Sequence, residues 1–93
     1  MTDSDIALFE DLSFQYLNAQ ELLFPQLRAR LRSQTTKDGP AFLAALKRIK
    51  GQAAVTRKRF EELTHIDFED DADFISFIVR LEAYLFEDGP EPL

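Results

Sequence analysis

The sequence predicts an all-α fold: a three-helix bundle, or a long αα-hairpin with a shorter third helix folded across it. Three observations predict it. Apolar residues recur in steps of three and four over long runs, the spacing of one helix face. The two firmest breaks, Asp38-Gly39-Pro40 and Asp88-Gly89-Pro90, are strong chain punctuation. The chain holds three Gly, no Cys and no Trp, a poor composition for glycine-loop, disulfide or sheet-rich architectures. The 93 residues are read as one domain, 1–93.

The first helix is expected over about 5–32. Asp3 or Ser4 is placed to cap it, with acidic residues near its start and Arg28, Arg30 and Arg32 at its end, as the helix dipole favours. Phe9, Leu12, Tyr16, Ala19, Leu23 and Leu27 make one stripe. Leu8, Phe14, Leu17, Leu22 and Phe24 lie outside it, so the helix is apolar on more than one face. Pro25 removes a backbone donor inside this run. A kink is expected there, because the apolar stepping continues past it.

The second helix is expected over 40–63, with Pro40 in its first turn. Phe42, Leu46, Ile49, Ala53, Thr56, Phe60 and Leu63 alternate steps of four and three, like coiled-coil core positions. Gly51 and the Ala53-Ala54 pair are its weak points. The third helix is expected over 70–87. Its first turn is acidic (Asp70, Asp71, Asp73), and its apolar residues cover nearly every face. Gly89 and Pro90 end it, and residues 88–93 are expected to fray. Nine Phe in so short a chain exceed what a three-helix core needs, so a homodimer packed through helical faces is expected.

The net charge of −6 hides a segregation. Residues 1–27 sum to −5, residues 28–59 to +9 and residues 60–93 to −10. One explanation is intramolecular, with acidic flanks packed around a basic middle. The other is an anion-binding patch of Arg28, Arg30, Arg32, Lys47, Arg48, Arg57, Lys58 and Arg59. A sequence pI near 4.6 and the lack of aromatic residues among the basic ones argue against nucleic acid.

Few residues suggest chemistry. The acidic run from Asp67 lacks the Gly and Glu that a calcium loop needs, with Ala72 and Ile78 at those positions. The single His and the absent Cys leave no nucleophile–base pair. Glu62-Leu63-Thr64-His65 has a Glu-x-x-His spacing, which puts both side chains on one helix face. With two long helices and a short break over residues 5–65, it resembles half of a ferritin-like di-iron bundle. That resemblance implies metal held by Glu62 and His65 in a bundle completed by dimerisation. The mid-helix inward positions Ile49, Ala53 and Thr56 carry no ligand, which departs from that pattern.

The leading expectation is a small non-enzymatic helical adaptor or regulator acting by protein–protein contact, homodimeric and without cofactor. Its partner-binding candidates are Phe14, Phe24, Phe77, Tyr84 and Phe86. The alternatives are the ferritin-like metal protein and a charge-based binder of nucleic acid or another anionic polymer through residues 28–59. The opening residues show neither a basic start nor an apolar run, and no segment approaches a membrane span, so a cytoplasmic protein is expected.

Overall fold

The structure, a computed structural model, describes residues 4–33 and 37–92. Five helices and one minimal hairpin follow one another: α1 (Ser4–Tyr16), β1 (Leu17–Asn18), β2 (Glu21–Leu22), α2 (Phe24–Arg32), α3 (Asp38–Gln52), α4 (Arg57–Thr64) and α5 (Asp71–Phe86). The all-α class holds, but two of the three expected helices are each divided. The N-cap candidate Asp3 lies outside the described residues.

The first division falls at Pro25. A helix crossing this point would need the Pro25 amide as donor to Glu21 and would drive the ring into that carbonyl. The chain instead leaves α1, and Leu17 pairs with Leu22 and Asn18 with Glu21 in an antiparallel hairpin. The Asn18 side-chain oxygen accepts from the Gln20 amide (2.8 Å) and shapes the turn. The Ala19 amide donates to the Thr64 carbonyl (2.7 Å), tying the hairpin to the end of α4. Pro25 then sits in the first turn of α2, where a missing amide costs nothing. The expected kink is therefore a split, with α2 restarting on a fresh axis.

The second division falls at residues 53–56, where one continuous helix was expected. On a helix continued from α3, Val55 would face away from Phe42 and Ile49. The break turns it into the core, at 2% exposure, and leaves Ala53 and Thr56 outside. Burying a valine is worth about 1.5–3 kcal/mol. The left-handed alanine that makes the turn costs about 1–2 kcal/mol. Ala53 takes that conformation (φ 51°), and its amide donates to the Ile49 carbonyl. Thr56, read from sequence as a core position, is the N-cap of α4 and accepts from the Arg59 amide (3.2 Å).

The third helix matches its expected bounds closely. Asp70 caps α5 by accepting from the Asp73 amide (2.8 Å), while the Asp73 carboxylate accepts from the Glu69 amide (3.2 Å). At the other end Asp88, not Gly89, takes the left-handed conformation (φ 61°). Gly89 is needed for proximity instead: a Cβ there would lie 3.1 Å from that of Ala83. The tail does not fray as far as it is described, because Pro92 is buried. Gly39 has a similar role in α3, where a Cβ would run into the Leu31 carbonyl oxygen of α2.

α3 packs against α1, α2 and α5, so the core forms around its inner face. Phe60 on α4 is the aromatic hub. Its ring centroid lies 5.9 Å from Phe9, 6.0 Å from Phe68, 5.4 Å from Phe74 and 5.8 Å from Phe77. Phe9 continues the cluster to Phe42 at 5.0 Å.

The apolar surplus expected to drive dimerisation is largely absorbed by this core. Phe24, Phe77 and Tyr84 are buried, and Phe14 and Val79 are the large apolar side chains left exposed among the described residues. The accessible surface of 5568 Å² matches the value of about 5500 Å² expected of a folded monomer of this mass. The radius of gyration, 12.2 Å, likewise matches about 12 Å for a chain of this length.

The α3–α4 corner places its residues against their preferences. Gly51 is helical with open space around its Cβ position, while Ala53 is left-handed. Gly51→Ala and Ala53→Gly should therefore each stabilise the protein by about 0.5–1 kcal/mol, and each should raise Tm by a few degrees in a thermal melt. A lower Tm for Ala53→Gly would contradict the left-handed assignment.

Candidate functional site

The break between α3 and α4 opens a groove of about 470 Å³ where the end of α3 meets the starts of α4 and α5. Ile49, Val55, Phe74 and Ile75 contribute its apolar lining, and Lys50, Arg57 and Asp71 bring charge to it. An apolar cleft of this size with a few convergent polar groups is the usual form of a binding site. The Arg57 Nε donates to Asp71 Oδ1 at 2.9 Å, and its Nη1 lies 3.5 Å from Glu61 Oε2. The hydrogen bond to Asp71 holds the Arg57 guanidinium above its ordinary pKa. Lys50 Nζ donates to Glu82 Oε1 at 2.8 Å and so joins α3 to α5 beside the groove. The groove offers apolar burial flanked by charge. Its one hydroxyl, that of Thr56, is engaged as the α4 cap.

Two other depressions are present. One, of about 390 Å³, lies between α2, α3 and the end of α5 and is lined by Pro40, Leu43 and Phe86 among others. The other, of about 420 Å³, lies beside the hairpin and is lined mainly by polar side chains around Phe14.

The basic segment does not gather into one patch. Arg59 reaches Glu10 on α1 (3.1 Å), Arg30 reaches Asp38 (3.1 Å), and Arg57 reaches Asp71. Arg28 and Arg32 both hold Asp88, at 2.6 and 2.9 Å. Arg32 Nε also donates to the Leu85 carbonyl (3.0 Å), placing positive charge on the C-terminal end of α5. The Arg28 guanidinium stacks over the Tyr84 ring at 5.0 Å, which offsets the burial of its Nε without a hydrogen bond. These basic side chains thus turn toward acids on α1, α3 and α5 and the segment after it. Arg48 is half-buried on α3, whereas Lys47 and Lys58 are exposed with no ion pair among the described residues.

Of the five aromatic candidates only Phe24 and Tyr84 meet, with ring centroids 6.1 Å apart, among the described residues. Phe24, Phe77 and Tyr84 belong to the core and present no surface to a partner, Phe86 is half-buried, and Phe14 stands alone at 61% exposure. Glu62 and His65 do not share a helix face. His65 is the left-handed residue that ends α4 (φ 60°), and Glu62 faces Arg59 at 4.0 Å. The two long helices that the ferritin-like resemblance needs are each interrupted, by the hairpin and by the Ala53 turn. Among the described residues no three metal-ligating side chains converge, and no helix is long and apolar enough to cross a membrane.

The sequence reading missed the groove because it read through the break that forms it. The available signals were Val55, apolar on the polar side of a continued helix, and Thr56, a good N-cap. No family model matches this sequence. No curated protein and no solved structure matches it either.

The Asp88 clasp carries a pH dependence. The hydrogen bond and charge of Arg32, then the hydrogen bond from Arg28, hold the Asp88 carboxyl below its ordinary value of 3.8. A depressed folded-state pKa contributes stability above the ordinary value and loses it as pH falls through the folded one. Asp88→Asn keeps a residue that tolerates positive φ but removes the charge. Its Tm should lie below wild type at neutral pH, and the gap should close in strong acid. A gap that stays constant with pH would show that the charge plays no part.

Proposed function

We propose that this chain is a small protein-docking module, an adaptor or regulator rather than an enzyme. The partner's anchor side chain enters the groove between α3, α4 and α5. The supporting observation is the depression of about 470 Å³ at this corner, where half-buried Ile75 presents apolar surface over the buried Ile49, Val55 and Phe74. Protein contacts concentrate their energy in a few such pockets, each filled by one large side chain from the other partner. The strained left-handed Ala53 lies at the same place, and strained backbone clusters at ligand clamps.

In this reading the free chain is a monomer. The absorption of Phe24, Phe77 and Tyr84 into the core supports this over the homodimer expected from the phenylalanine content. Light scattering of the purified chain should give 10.7 kDa; twice that mass would restore the dimer.

Ile75→Glu puts a charge into the groove from a half-buried position. Affinity capture from the native lysate with wild type, Ile75→Glu and the exposed control Val79→Glu should yield a partner with the first and third baits and not with the second. Circular dichroism would confirm that all three are folded. A partner retained equally by Ile75→Glu would overturn the groove as the docking site.

A further inference from the structure

We infer that residues 87–92 form a releasable strap across the seam between α2 and α5, with the Asp88 carboxylate as its latch. The strap leaves the end of α5 and is tied back at a few points. The Glu87 and Gly89 amides both donate to the Ala83 carbonyl, at 2.9 Å each. Asp88 Oδ1 accepts from Arg28 Nη2 (2.6 Å) and Arg32 Nη2 (2.9 Å) on α2. Pro92 is buried at the far end. Glu87 and Glu91 are exposed and make no ion pair among the described residues. Asp88 is therefore the side-chain charge that fastens the segment.

Arg28 connects the latch to the seam. Its guanidinium lies over the Tyr84 ring at 5.0 Å, and Tyr84 meets Phe24 of α2 at 6.1 Å. With the latch gone, Arg28 is free to leave the ring, and water reaches a tyrosine that is otherwise buried. Closure also carries two costs. It holds Asp88 in the left-handed region (φ 61°), and it leaves the Arg28 Nε buried with no hydrogen-bond partner among the described residues. Against these stand ion pairs whose Asp88 end is 77% exposed. Pairs so solvated are weak and screened by salt. A segment held this way opens locally while the core stays folded.

The test is amide hydrogen exchange on the full ¹⁵N-labelled chain at neutral pH. In wild type the Gly89 amide should be protected, but about tenfold or more below the core amides of Leu46 and Ile78. Its protection should not respond to low urea, because a local opening exposes little surface. Asp88→Asn and Arg32→Gln should each lower it by about threefold or more, and added salt should do the same in wild type but not in Asp88→Asn. Arg32→Gln leaves the residues on either side of the Gly89 amide unchanged. Nitration of Tyr84 by tetranitromethane, followed in a Tyr16→Phe background where it is the sole tyrosine, should quicken by the same factor in Asp88→Asn. An unprotected Gly89 in wild type would mean that there is no strap. Protection equal to the core and falling in urea would mean that the segment opens only on global unfolding. Protection unchanged in both variants would remove the latch, and an unchanged nitration rate would remove its hold on Tyr84. Each of these results overturns the inference.

Discussion

The structure depends on the burial of Phe60. Its ring meets Phe9 from α1, Phe68 from the connection before α5, and Phe74 and Phe77 from α5. No other ring among the described residues has as many aromatic neighbours. α4 is only eight residues long and could not persist by propensity alone. It exists because its one aromatic side chain completes this cluster. Removing such a ring from a core costs about 3–5 kcal/mol, comparable with the whole stability of a small domain.

The same constraint accounts for the break before α4. A straight continuation of α3 would bury Ala53 and Thr56 and expose Val55. Turning at Ala53 buries valine and leaves threonine to cap the next helix. The groove is the space left where α3 stops and α4 departs on another axis. Its chemistry follows from local composition: apolar residues from the inner faces of α3 and α5, and positive side chains from the basic stretch that spans the turn. The groove is thus a by-product of how the core is completed.

The charges act mainly inward. The acidic flanks of the sequence meet the basic middle through Arg59 and Glu10, Lys50 and Glu82, Arg57 and Asp71, and the pair of arginines on Asp88. Each exposed pair is weak, yet every one links two different elements and disfavours packings that would bring like charges together. Lys47 and Lys58 lie outside this pairing and stay exposed on α3 and α4.

The sequence alone determined what is local. Helical periodicity set the all-α class. The Asp70 cap, the acidic first turn and the Asp88-Gly89-Pro90 stop set the limits of α5, because caps and stops act within a few residues. The sequence also displayed the segregation of charge, though not which acid meets which base. Tertiary structure decided the rest. The hairpin needs the Thr64 carbonyl as acceptor for Ala19, the break at Ala53 needs a core that rewards Val55, and the fate of Phe14, Phe24, Phe77, Tyr84 and Phe86 depends on which faces the other helices cover. Periodicity assigns an apolar residue to a face, but only the packed chain decides whether that face is core, surface or groove, because burial depends on contacts between residues far apart in sequence.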